Sequence, residues 1–323
     1  HEWRAMFFIL VCLVPKRRIM DLFLTQVLNG VQAGILLFLL AAGLTLVFGI
    51  MNFVNLSHGS FYMFGAYIAA VTYEQWGSFW LAAAIAIFGT LLLGLLINQL
   101  VLRSLYSRDH LYQVLGTFGL ILIFNELVQV FWGSAPLYVG MPDLLDSAVP
   151  LLGALYPVYR LVIIGVGLLV AGLLYLLIHR TRLGMLIRAG AYDPRMVSAL
   201  GTNIWVLNAS IFALGAALAG LAGFMAGPII SVQSGMGEPV LILTLVVIVT
   251  GGIGSIHGAF LGALLVGLTD TLGRAFIPEM LSWVLRPALA QAAGAAIASM
   301  LIYLLMAVVL AVRPKGLFPV RYT

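Results

Sequence analysis

Charge is what this chain has least of. Only 8% of its 323 residues are Asp, Glu, Lys or Arg, while 63% are hydrophobic; an ordinary soluble domain carries roughly a quarter charged residues. Such a chain cannot maintain a water-facing surface. Apolar runs on the order of 20 residues recur from end to end, so it reads as an integral membrane protein. Segments of roughly ten residues with alternating polarity are missing, which excludes a transmembrane β-barrel and leaves a helical bundle. Cysteine is reduced to Cys12, which excludes a disulfide framework and a multi-thiolate metal site. Lysine occurs only at Lys16 and Lys315, and there is no G-x-x-x-x-G-K-[ST] loop, so any ATP chemistry must belong to another chain. The net charge of +5 then reads as arginines gathered in cytoplasmic loops, not as a nucleic-acid footprint.

What is present is a series of apolar segments, at 22–50, 58–73, 79–102, 111–132, 158–178, 204–227, 239–268 and 294–312. They predict an all-α polytopic membrane protein of about 8 transmembrane segments. Residues 1–19 read as a separable extension or interfacial segment. Their apolar run is too short to span, and Lys16, Arg17 and Arg18 follow it, the wrong order for a secretory signal. Residues 20–318 then form the transmembrane domain and 319–323 a cytoplasmic tail. Arg180, Arg182, Arg188 and Arg195 assign the loop 180–203 to the cytoplasm; Arg313, Lys315 and Arg321 do the same for the C-terminus, and Arg103 and Arg108 for a further turn. Residues 133–157, with Pro136, Pro142, Asp143, Asp146 and Pro150 but no Lys or Arg, read as the longest outer loop. If Lys16 to Arg18 also lie inside, residues 22–76 must cross an odd number of times. Two full helices cannot do this; a broken or re-entrant helix near 49–60 can, and a second is expected near 250–258.

The first break is written "GIMNFVNLSHGSF". Non-helical backbone survives at membrane depth only where protein or a water-filled cavity satisfies it. Asn52, Asn55 and Ser57 either line a translocation path, at the free N–H groups of a helix resuming near His58, or tie neighbouring helices together. "HGSFYMFGA" (58–66) and "HGAFLGALL" (257–265) share His-Gly and Phe after a polar or glycine-rich interruption, as an internal duplication or a chance match in a sequence of low complexity. His58 and His257 each stand alone among apolar residues, without the further ligands a metal needs. Glu126, in "LIFNELVQVFW", is an ionisable group inside an apolar segment, either functional or a buried carboxyl bonded to Asn125 and Gln129. Asp270 reads as interfacial.

Outside the spans, "RTRLGMLIRAGAYDPRMVSALGTN" (180–203) carries a local signature. Asp193 is an N-cap residue, Pro194 suits the first helical position, and Gly201 suits a C-terminal stop. A helix of about two turns is predicted, with Met196, Val197 and Leu200 on one side. It either docks into another protein or lies on the bilayer surface.

At these residues the sequence resembles the membrane permease subunits of ABC importers for branched-chain and other hydrophobic amino acids. The likeness rests on "LNGVQAGILLFLLAAGLTLVFGIMNFVNLSHGSFYMFGAYIAA" (28–70), "RLGMLIRAGAYDPRMVSALGTN" (182–203), "VVIVTGGIGSIHGAFLGALLVG" (246–267) and "RPKGLF" (313–318), in family order. The resemblance implies a non-enzymatic transporter subunit in the bacterial inner membrane. It implies a second related permease subunit, two ATP-binding subunits that hold ATP and Mg, and a periplasmic substrate-binding protein. Residues 188–203 are then the coupling loop against the ATPase, with Arg188, Asp193, Pro194, Met196, Val197, Leu200 and Gly201 carrying the contact. The path is lined by Asn52, Asn55, Ser57, His58 and Gly59 of the first break with Gly251, Gly252, Gly254 and Ser255 of the second. Tyr192 stands where the family often has an acidic residue. Urea and short amides are alternative cargoes within the family. A secondary transporter or channel is the rival class, and an intramembrane protease using Ser57 or Ser234 is a further one.

Overall fold

The computed structural model describes residues 16–151 and 154–319. Residues 1–15, most of the expected extension, and 320–323 lie outside it. The elements in chain order are α1 (Lys16–Met51), α2 (His58–Trp76), α3 (Phe79–Ile97), α4 (His110–Trp132), β1 (Ala148–Leu151), β2 (Ala154–Pro157), α5 (Val158–Arg180), α6 (Arg182–Tyr192), α7 (Pro194–Ala199), α8 (Ile204–Ala226), α9 (Gly237–Gly251), α10 (Ile256–Ser282) and α11 (Pro287–Val312). Helix α3 runs on through a π-helical turn, Asn98–Leu102, into Arg103–Leu105. Seven of the described helices are long and apolar enough to cross a membrane, and Gly237–Gly251 is a shorter apolar one.

The exception among the longer helices is α2, whose His58, Tyr62, Tyr67 and Glu74 dilute its apolar residues. Most of it is buried, packed between α3 and α8. It starts after the break that follows α1 and ends at Gly77, whose φ of 63° is a left-handed cap with its N–H donated to Tyr73 O at 2.8 Å. Helix α1 runs against α10, α8 and α5, and α11 packs on α10.

Helices in lipid gain nothing from hiding apolar surface from one another, so close backbone approach takes over. Gly30 and Gly34 put the backbone of α1 onto Leu268 and Ala263 of α10; a Cβ at Gly34 would lie 2.8 Å from the Ala263 carbonyl oxygen. Gly43 meets Gly215 of α8 in the same way, 2.7 Å from its carbonyl oxygen. Aromatic contacts fill the wider gaps, with Phe38 edge-on to Phe260 at 5.1 Å and Phe64 edge-on to Phe124 at 5.2 Å.

The structure corrects two expectations and adds detail to a third. Asn29 of α1 accepts a hydrogen bond from Arg160 at the start of α5, whereas Gly49 packs on Gly254 and Met51 borders Gly190 and Pro194. The start of α1 therefore lies at the hairpin end, opposite the arginine-rich loop. Lys16 to Arg18 do not share a side with that loop, and residues 22–76 go across and return an even number of times. The basic residues gathered around 103–108, 180–195 and 313–315 outnumber the three at the start of α1. Next, α10 extends to Ser282, so Asp270 lies within a continuous helix and not near its end. It accepts from Arg274 Nε at 2.6 Å one turn on, and Arg274 also reaches Ser299 of α11. Lastly, residues 133–157 contain a β-hairpin in register Ala148↔Pro157 to Leu151↔Ala154, and a bridge Leu137↔Val232 ties this loop to the segment entering α9.

Candidate functional site

The first break is held by α4. Asn52 adopts φ 47°, the left-handed region that asparagine tolerates, and turns the chain out of α1. Val54 N–H then donates to Gln113 Oε1 at 3.3 Å and Leu56 N–H to Thr117 Oγ1 at 3.2 Å. The two acceptors lie four residues apart on one face of α4, and both are buried. Their spacing on an apolar helix is the one signal of this support that the sequence carries, and sequence reasoning missed it. Ser57 donates through both its N–H and its hydroxyl to Asn55 Oδ1, at 3.1 and 2.7 Å. Asn52 is exposed.

Three buried polar atoms around this break have no hydrogen-bond partner among the described residues: Asn55 Nδ2, His58 Nε2 and Thr45 Oγ1. An unmet buried donor or acceptor costs about 1–3 kcal/mol. The ring of His58 fits because Gly43 has no side chain; a Cβ there would lie 3.0 Å from His58 Nε2. At the second residue of α2, Gly59 meets Gly237, where α9 begins, and a Cβ on Gly59 would lie 2.5 Å from the Gly237 carbonyl oxygen. Two helix N-termini thus abut inside the bundle.

Beside that junction α4 makes polar contacts with the start of α9 and the segment entering it. Asn125 Nδ2 donates to Glu238 Oε1 at 2.6 Å, and Ser234 donates to the Asn125 carbonyl at 3.1 Å. Gln129 reaches Ser234 at 3.5 Å. Asn125 and Gln129 are therefore engaged by the α9 side and not by Glu126, which is exposed six residues before the end of α4. Glu238 is the residue sequence reasoning missed as a site candidate, and Ser234 entered it only as a protease nucleophile. Glu238 sits in the first turn of α9, where the helix dipole favours a carboxylate.

The second break is closed by the C-terminal segment. Leu317 N–H donates to Thr250 O and Phe318 N–H to Gly251 O, both at 2.9 Å. Gly252 and Gly254 adopt φ of 110° and 82°, and a Cβ on Gly316 would lie 2.6 Å from Gly252 Cα. Ser255 caps α10 by accepting from Gly258 N at 3.1 Å. The two breaks meet through Gly49, whose Cβ would lie 2.6 Å from Gly254 Cα. His257 is not alone: its ring is edge-on to Tyr175 at 5.6 Å and to His179 at 5.7 Å.

The loop outside the spans forms two helices. Asp193 accepts from Arg195 N at 2.9 Å and Met196 N at 3.1 Å, capping α7, and Pro194 takes the first helical position. Gly201, with φ 88°, ends it. The three apolar residues divide: Val197 is buried and seats α7 on the body, while Met196 is 59% and Leu200 79% exposed. Arg188 is exposed, and its guanidinium donates to the Ile178 carbonyl near the end of α5. A small cavity lined by Met51, Tyr106, Gly190 and Pro194 joins this loop to the end of α1, just before the first break. Tyr106 donates to Asn98 in the π-turn of α3, and burial pushes its phenol above the ordinary value.

Interrupted helices that meet inside an apolar bundle, polar contacts between α4 and the start of α9, and an exposed apolar helix face outside the spans suit a membrane permease. The chain belongs to the family described as the permease component of branched-chain amino acid transport systems, whose model matches residues 26–310. It is 30% identical over 276 residues to the high-affinity branched-chain amino acid transport system permease protein LivH of Salmonella typhimurium, covering 79% of this chain and 87% of that one. It is 32% identical over 266 residues to the protein BraD of Pseudomonas aeruginosa, likewise called a high-affinity branched-chain amino acid transport system permease, covering 78% and 86%. A probable LivH permease of Methanocaldococcus jannaschii is 28% identical over 247 residues, covering 73% and 76%. No solved structure matches the chain.

Proposed function

We propose that this chain is a transmembrane subunit of an ATP-driven ABC importer that carries branched-chain or related hydrophobic amino acids across the bacterial inner membrane by alternating access. It works with a second related permease subunit, two ATP-binding subunits holding ATP and Mg, and a periplasmic substrate-binding protein. The loop 180–203 and the C-terminal segment face the cytoplasm. The observation that carries this reading is α7: capped by Asp193, seated by Val197, and presenting Met196 and Leu200 outside the spans. An apolar face so placed suits a socket on an ATPase, and the cavity at Met51 and Pro194 gives its displacement a short route to the first break.

Substrate passes along the junction of the two helix N-termini. Asn55 Nδ2 offers a donor to a carboxylate or carbonyl oxygen, His58 Nε2 offers an acceptor because the other ring nitrogen donates to the Leu40 backbone, and Glu238 attracts an ammonium group. The exposed carboxyl of Glu126 on an apolar helix also requires a polar cover, which the second permease subunit supplies. Ser57, Gly59, Gly251, Gly252, Gly254 and Ser255 hold the breaks in shape around the path.

The test is uptake by proteoliposomes containing the full assembly and its binding protein. ATP-dependent accumulation of leucine, isoleucine or valine supports the reading. Accumulation of urea or acetamide instead assigns the other cargo, and uptake without ATP contradicts the importer mechanism.

A further inference from the structure

Two adjoining spaces lie where α10 begins, beside α1, α5 and the C-terminal segment. One is a cleft of about 770 Å³ lined by Ser255, His257, Arg313 and Lys315 together with the rest of the C-terminal segment up to Pro319. The other is an almost wholly apolar crevice of about 290 Å³ between α1, α5 and α10, lined by Phe38, Ala171, Leu174, Tyr175 and Phe260 among others. His257 borders both.

The cleft is positively charged. Arg313 is fixed by donating to the Leu317 carbonyl at 3.0 Å, and Lys315 is exposed. Among the described residues no carboxylate lines either space, and the single ion pair is the distant Asp270–Arg274. The N-terminus of α10 adds its partial positive charge to the same place. The crevice is the opposite in character: Tyr175 and His179 stack at 4.4 Å, with His257 edge-on to both, forming an aromatic rim between polar cleft and apolar slot.

A basic cleft continuous with an apolar slot, at the end of membrane-spanning helices, has the two-part chemistry of one ligand class. We propose that it holds an anionic phospholipid, the phosphate of its headgroup between Arg313, Lys315 and His257 and part of an acyl chain between α1, α5 and α10. Charge complementarity selects this occupant, because a zwitterionic lipid brings a cation into a cleft where none of the described lining residues is a carboxylate. The lipid fastens the segment 313–318 that closes the second break, so its binding stabilises that closure.

The experiment uses the full chain, purified in mild detergent, and native mass spectrometry with added phosphatidylglycerol or phosphatidylcholine of identical acyl chains. The expected result is preferential retention of phosphatidylglycerol. Arg313→Gln with Lys315→Gln reduces that retention about 30-fold, roughly fivefold for each basic side chain. Ala171→Trp, which fills the slot, also reduces it, while free glycerol phosphate does not compete. Equal retention of both lipids overturns the proposal. So does competition by glycerol phosphate with Ala171→Trp silent, which assigns the cleft to a soluble anion. Should a variant fail to fold, the wild type still decides: a photoactivatable phosphatidylglycerol in native membranes labels Tyr175 or Phe260. Labelling of these residues only after the chain is stripped of its partners means that protein covers the face, and the proposal falls.

Discussion

Gly59 and Gly237 meet with no room for a methyl group, and this contact sets where α2 and α9 begin. Gly59→Val therefore forces the two N-termini apart; overpacking of this kind costs about 1–3 kcal/mol, seen as a lower melting temperature in detergent and reduced yield. Asp193 is a second single-residue control. Asp193→Ala removes the acceptor for two N–H groups of α7 and costs about 1 kcal/mol. Hydrogen exchange at Arg195 and Met196 should speed up roughly fivefold, with the spans unchanged. The role of Asp193 was legible because a cap is local chemistry: its acceptor, the following proline and the closing Gly201 lie within nine residues. Glu238 was not, because its partner Asn125 is 113 residues away and nothing in either neighbourhood names the other.

Among the elements, α4 shows how a helix can support a break it does not contain. Gln113→Leu with Thr117→Val leaves the N–H groups of Val54 and Leu56 without acceptors, at about 1–3 kcal/mol each. Proteolysis of the intact protein should then begin at 52–57. The second break depends instead on the C-terminal segment, and Leu317→Pro removes the N–H that meets the Thr250 carbonyl. That variant should expose 252–255 to protease and leave the first break intact. Both interruptions were legible as positions, since asparagine or glycine runs in oil announce them. Their supports were not, because each comes from a segment remote in sequence. The extension of α10 to Ser282 was hidden for another reason: Asp270, Arg274 and Glu279 lower the hydropathy of a helix that is nonetheless continuous.

For the whole molecule, the contacts of α1 decide its direction. In a Cys12→Ser background, Met20→Cys and Ser147→Cys should react with a membrane-impermeant maleimide from one side and Ser198→Cys from the other. Labelling of Met20→Cys and Ser198→Cys from the same side would contradict that direction of α1. Counting arginines placed the loop 180–203 and the C-terminal segment at one end of the bundle, as the structure does. It failed for Lys16 to Arg18 because charge bias is summed over the whole chain and a single early cluster is outvoted.

The central claim is that α7 transmits ATPase movement to this bundle, and one measurement addresses it directly. The assembly is co-expressed and purified through the ATP-binding subunits, comparing wild type with a Met196→Asp, Leu200→Asp double variant that retains the wild-type melting temperature. The account predicts that the wild-type chain is retained and the variant is lost, because two carboxylates replace the exposed apolar contacts while Val197 still seats the helix. Retention of both to the same extent, with unchanged ATP-driven uptake, would contradict it.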